Sequence, residues 1–455
     1  MEWSALRPHG SAALGWAAAL LFCAGCAGPS AKSEKAVNAM IASGNYAGAE
    51  SYLDSHKESE YGKKNMVLYY LDKGMIEHHE GKYAESDQSF DRAETRMDEL
   101  YTKSITKMGG MILLNDNTVD YAGEPFERAL TNVFRALNYV FLGKPDEALV
   151  ESRKVEMFLD ELNRNAPKKP VYKDDVFARY LDSLLYADAG QSDDARISRE
   201  AAEEAYRWYA SDYRVPVPKF DLRKDASEGE LVFIHYNGVA PRKVSKTFQV
   251  AWGEAAVLVN QNHDEDSDSQ RAKNALRAGF TGHSVTVAYP EYVQDPFAIA
   301  SSEVTVDDES KGATQLMEDI SAIAFKDLSD RQGLIRARAV ARAAVKYILA
   351  ETAARAAQAH LDKEYGQGSA AASILGGIGR GLAHGAAAAT EIADTRGWSA
   401  LPSQIRMARI ALPPGTHQIR IDFKNAAGSV VASRVFKDVK VEKARRTYLS
   451  LRTAS

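Results

Sequence analysis

The chain has 455 residues, 57 Lys and Arg against 62 Asp and Glu for a net charge of −5, 45% apolar residues and two cysteines. Mild acidity with no dominant basic block argues against a nucleic-acid partner. The length exceeds what one hydrophobic core usually serves, which predicts at least two domains.

Residues 1–25 read as an export signal. Arg7 and His9 precede an apolar run from Ala12 to Phe22. That run is well short of the roughly twenty residues a spanning helix needs, so the segment is expected to be cleaved. Ala24 and Gly25 directly before Cys26 resemble the lipobox of bacterial lipoproteins, although Cys23 stands where leucine is commonest. The resemblance implies that Cys26 becomes the acylated first residue of the mature chain. Ala27 in place of Asp then implies passage to the outer membrane. Cys23 would leave with the signal, and no thiol would remain for a disulfide, a metal site or a nucleophile. Residues 26–33 form a polar tether, and the membrane is held through N-terminal acyl chains.

An internal repeat spans residues 34–212. Gly44, Gly81, Gly143 and Gly190 are each followed two positions on by Tyr46, Tyr83, Pro145 or Ser192. Three further on comes a small residue, Ala49, Ser86, Ala148 or Ala195. The pattern resembles the turn of a tetratricopeptide repeat (TPR), where Gly closes the first helix and the small residue admits close approach of the second. Phe90 and Ala93 complete it in the second copy. Intervals of 37, 62 and 47 residues depart from the family period of about 34. The long middle interval holds a turn-rich loop around Gly123 and Pro125. After it, Phe126, Leu130, Val133, Phe134, Leu137 and Phe141 follow helical spacing as a buried stripe.

Residues 213–228 read as a linker. Residues 229–400 form a mixed domain, with strands expected in "LVFIHYN", "TFQVAW", "AAVLVN" and "SVTVAYP". A long helix follows from about Leu334 to Lys363. The Gly/Ala segment after it reads as either a close-packed helix pair or a flexible hairpin. Residues 401–455 return to strands broken at Pro413-Pro414-Gly415, Ala427-Gly428 and Glu442-Lys443, forming a small antiparallel sheet or sandwich that packs with the mixed domain. The fold class is therefore α+β: a TPR-like helical stack, then a mixed domain ending in antiparallel strands.

Taken together, "DYAGEPFERALTNVFRALNYVFLGKPDEALVESRKV", "LVFIHYNGVAPRK" and "EIADTRGWSALPSQIRMARIALPPGTH" resemble a family of bacterial TPR-bearing lipoproteins with an AD-x-R-x-W-x-x-LP motif. The motif falls here on Asp394, Arg396, Trp398, Leu401 and Pro402. The resemblance implies an envelope lipoprotein and carries no established reaction.

Other constellations have bland readings. His78, His79 and Glu80 are consecutive on a helix and diverge by about 100° each, so they do not converge on an ion. Asp264, Asp266 and Asp268 alternate like a calcium loop, but Ser269 and Ala275 replace its Gly and Glu. "GGIGRG" (Gly376–Gly381) follows a helix instead of a strand, against a dinucleotide fingerprint. Asp394, Arg396 and Trp398 are expected to pin a loop by a carboxylate–guanidinium pair with the indole stacked beside it; a partner surface is the alternative. No spacing recommends a nucleophile or a metal, so no catalytic residue, cofactor or metal is assigned. The expected function is a lipid-anchored, non-catalytic scaffold of the bacterial envelope, binding an unknown protein or peptide through its repeats, in envelope assembly or surface-polymer export. A self-assembling outer-membrane component, hence a homo-oligomer, is the alternative; a glycan- or lipid-directed enzyme is disfavoured.

Overall fold

Four helix pairs open the chain, each closed by the same turn. A computed structural model describes residues 28–107, 119–165, 172, 174–213, 215–220, 227–251, 284–389 and 392–454. The expected signal, Cys23, Cys26, the expected strand "AAVLVN" and Asp264, Asp266 and Asp268 lie outside these. The pairs are α1 (Ala31–Ala42) with α2 (Tyr46–Ser55), α3 (Met66–Glu80) with α4 (Tyr83–Lys107), α5 (Pro125–Phe141) with α6 (Pro145–Asn165), and α7 (Val176–Asp188) with α8 (Ser192–Asp212).

Each turn glycine has positive φ: 74° at Gly44, 85° at Gly81, 70° at Gly143 and 75° at Gly190. In every copy the glycine N–H donates to the carbonyl three residues back. The next N–H reaches five back, to Met40, Glu77, Tyr139 and Tyr186. This is the Schellman geometry, which a left-handed residue makes possible and a Cβ would penalise. Ala49, Ser86 and Ala148 are fully buried, as are Phe90 and Ala93. Ala195 is only half-buried. Of the α5 stripe, Phe126, Leu130, Val133, Phe134 and Leu137 are buried, and Phe141 is half-buried.

Two four-stranded sheets and a two-stranded ribbon follow. The central sheet has the order β10 (Arg446–Thr453), β1 (Gly229–Asn237), β7 (Gln404–Leu412), β6 (Gln315–Asp319). β1 runs parallel to β10 and antiparallel to β7. The outer sheet has the order β5 (Glu309–Ala313), β4 (Ser301–Val306), β8 (Gly415–Lys424), β9 (Val430–Val441). The four C-terminal strands begin and end at the expected breaks but form no separate sheet. β7 and β10 flank β1 in the central sheet, whereas β8 pairs with β9 on one edge and with β4 on the other in the outer sheet.

Every residue of β1 is buried, since both faces of the strand are covered. Leu231 and Phe233 face the outer sheet with Ile410, Ile421 and Phe423. Val232, Ile234 and Tyr236 face the helices with Ile405 and Met407. The body is thus three layers: helical stack, central sheet, outer sheet.

An arm completes the fold. The long helix α9 (Ile320–Tyr365) has 46 residues, about 70 Å at 1.5 Å per residue, and starts fourteen residues before the expected Leu334 because Asp319 caps it through Ala322 N–H at 2.8 Å. Its base, Ile320, Ile323 and Leu328, joins the main core. Its middle, Ala339 to Ala344, packs on Val250 and Val287 of the ribbon formed by β2 (Arg242–Ala251) and β3 (Ser284–Val293). Its end pairs with α10 (Ala370–Ala389). The Gly/Ala segment is therefore the second helix of a pair, and Gly376 lies where a Cβ would strike the Gln358 side chain.

Candidate functional site

The first helices of the pairs line one inner face, and that face is taken by the chain's own C-terminal half. Residues 394–402 form a strap across it. Asn38 on α1 donates to the Ser399 carbonyl at 3.2 Å. Asp72 on α3 accepts the Ala400 N–H at 3.0 Å and the Ser399 hydroxyl at 3.2 Å. Glu127 on α5 accepts the Trp398 N–H at 2.7 Å. Tyr180 on α7 accepts from Arg409 of β7 at 2.7 Å. Carboxylates that grip successive backbone N–H groups bind an extended segment through its main chain.

Arg396 locks the strap from within. Its guanidinium pairs with Asp394 at 2.9 and 2.7 Å and donates to Asn65 Oδ1 and the Val119 carbonyl. The expected Asp394–Arg396 pair is present, but the indole is not its stacking partner. The Tyr121 ring lies 5.1 Å from the guanidinium carbon, whereas Trp398 turns into the helices, edge-on to Phe90 and Phe134 at 5.7 and 6.0 Å. Apolar area sends the indole there, since Phe90 and Phe134 are fully buried. Leu401 and Pro402 are buried as well.

Beside the strap, Tyr236 of β1 donates to His78 Nε2 at 3.0 Å, and His78 Nδ1 donates to Asn138 Oδ1 at 2.7 Å. Asn138 in turn donates to Ser86, whose hydroxyl reaches the Gly74 carbonyl. Burial holds His78 neutral, its pKa down to about 4. The small residue of the second repeat is thus a relay between helix and sheet. His79 turns away, toward Tyr46 and the other side of Tyr236.

The site's acids are perturbed by burial. Asp72 is pushed up to about 7 by desolvation, against hydrogen bonds from Tyr61, Ala400 and Ser399 that favour its charge. Glu127 is also raised by burial. Glu124 goes the other way: desolvation opposes its charge, but Lys243 and Arg331 bring it down to about 2. Lys243 lies on the ribbon, and Arg331 on α9 donates to Glu124 at 2.7 Å. This cluster ties the root of the arm to the stack.

Asp72, Glu124, Glu127, Lys243 and Arg331 were absent from the sequence-derived site. Asp72 had a signal, a lone carboxylate inside the apolar run "MVLYYLDKGMI", and Glu127 another, the third position after the start of α5. Among the described residues no group of three or more His, Cys, Asp or Glu side chains could hold a metal, and no helix is long and apolar enough to cross a membrane. The inner face, expected to accept a foreign peptide, is filled by strap and sheet. No family model matches the chain, and no curated protein is significantly similar to it.

Proposed function

We propose that this chain is a lipid-anchored, non-catalytic component of a bacterial cell envelope that works by assembling with further copies of itself through its arm. In this reading the helix pairs are TPR-like repeats serving as a rigid mount. Their four identical Schellman turns support the kinship. Acylation of Cys26 would hold the body at the outer membrane, a setting that suits envelope assembly or surface-polymer export. The buried carboxylates Asp72 and Glu127 favour a structural role, because each is committed to backbone N–H groups of the strap.

One observation carries the reading. Ile374, Ile378 and Leu382 stand at i, i+4 spacing on α10, 63%, 57% and 71% exposed, with Leu375 beside them. Beside them Gly377, Gly379 and Gly381 face open space where a Cβ would meet nothing. An aliphatic ridge flanked by bare backbone lets a second helix approach closely. A lipid partner for the same ridge is disfavoured by Arg380 within its span, a charge that is costly in hydrocarbon.

The test is the mass of the detergent-solubilised full chain by sedimentation, with the Ile378→Asp/Leu382→Asp variant beside it. Both side chains are exposed, so folding is expected to survive. A discrete multimer that becomes a monomer in the variant is expected; a monomeric parent chain refutes the assembly.

A further inference from the structure

The fourth repeat breaks the pattern of the others at its small residue. Ala49, Ser86 and Ala148 are sealed between helices, but Ala195 is half-buried. It lines a crevice of about 540 Å³ between α7, the start of α8 and the central sheet. That volume falls in the range of small-molecule sites. Among the described residues no helix pair follows α8 in the stack to fill the space.

The walls are chemically one-sided. Arg196 and Arg199 come from α8, and Arg409 and Arg446 from β7 and β10. Among the described residues no carboxylate lines the crevice. The nearest acids stand behind the guanidiniums: Glu230, 1% exposed, takes both Arg409 and Arg446. Arg446 also pairs with Asp188, so Arg409 and Arg446 are balanced by two carboxylates that do not line the crevice, and the charge most readily offered to a ligand is that of Arg196 and Arg199. Arg196 and Arg199 pair with Glu200 and Glu203 one turn on, in exposed contacts at 3.0 and 3.6 Å. Such pairs contribute little and exchange readily for a better anion. Tyr180 and Phe220, ring centroids 4.8 Å apart, supply an aromatic wall.

We propose that this crevice is a binding site for an oxyanion carried on an aromatic or apolar body, the class that aryl phosphates represent. The oxygens meet guanidinium forks, whose planar donors suit phosphate and carboxylate alike. The ligand body packs on Tyr180 and Phe220. The site is independent of the arm and of self-assembly.

Titration calorimetry of the full chain in detergent, with phenyl phosphate, phenol and inorganic phosphate as probes, tests the proposal. Phenyl phosphate is expected to bind at least about tenfold more tightly than either fragment, with affinity falling as salt rises. The Arg196→Glu/Arg199→Glu variant changes only exposed side chains and is expected to lose at least about tenfold. Phosphatidylglycerol doped into the micelles distinguishes sources: competition assigns the natural oxyanion to a lipid headgroup, and its absence to a water-soluble molecule, the site standing in both cases. No saturable heat with phenyl phosphate, equal binding of phenol, or an unaffected variant overturns the site.

Discussion

Replacing Trp398 by Ala measures how firmly the strap joins the two halves of the chain. The indole is 3% exposed and packs edge-on against Phe90 of α4 and Phe134 of α5. A buried tryptophan removes about 200 Å² from water, worth roughly 5 kcal/mol at 25 cal/mol per Å². Its Nε1 has no hydrogen-bond partner, so the substitution strands no donor or acceptor and the loss is apolar burial and cavity. The expected cost is about 3–5 kcal/mol, the range for such truncations. Trp398→Phe, which still fills the gap between the two rings, should cost less than half of that. Urea unfolding followed by far-ultraviolet dichroism reads the helices, and tryptic cleavage after Arg396 across the same urea series reads the strap. Both probes should shift together to lower urea in Trp398→Ala. A loss under about 1 kcal/mol, or a cleavage transition that moves while the helical one stays, would show that the strap is not part of the helical core.

Three further outcomes follow from the same packing. Gly74→Ala places a Cβ 2.7 Å from the Phe90 ring; overpacking of about 1–3 kcal/mol should outweigh the helix-propensity gain of about 1, and an unchanged or raised urea midpoint would contradict this. Glu124→Ala leaves Lys243, its side chain 3% exposed, without its closest counter-charge, and should cost about 3–5 kcal/mol; proteolysis should then cut first at the arm root, and an intact arm under protease would count against the cluster's role. Asp72 titrates near 7 when folded against about 4 unfolded. The folded state therefore holds the proton longer, and stability should fall as pH rises from about 4 to 7, by on the order of 4 kcal/mol from this group. Asp72→Asn should flatten that slope in urea midpoints taken across the range, whereas a parallel slope would assign the titration elsewhere.

Local signals gave the repeat turns, because Gly44, Gly81, Gly143 and Gly190 need a left-handed backbone and their neighbours need only short-range geometry. The breaks between the C-terminal strands were legible for the same reason. Sheet membership was not: β1 pairs with β7 across about 170 residues and with β10 across more, and nothing local in "LVFIHYN" names those partners. β5 and β6 were missed because "ESKGA" and "QLMED" are short and polar, and their pairing energy comes from β4 and β7. The motif was visible as a motif, yet its use was misjudged at one residue. Proximity in sequence put Trp398 beside Arg396, while apolar area put the ring between Phe90 and Phe134.

The strap also gives the four helix pairs of the described residues a partner for their inner face. A solenoid's first helices expose an apolar and polar inner face that must find a partner. Here the partner is covalently attached: Asn38, Asp72, Glu127 and Tyr180, one on each first helix, all reach residues between Trp398 and Arg409. The inner face is filled at an effective concentration no free peptide matches. The proposed association then falls to surfaces the strap leaves uncovered. The aliphatic ridge of α10 precedes the strap in the chain, and the strap is anchored in the helical core at Trp398 and Ala400. In the proposed assembly, a strap loosened at Trp398 frees the arm's C-terminal attachment, so Trp398→Ala is expected to weaken association as well as folding.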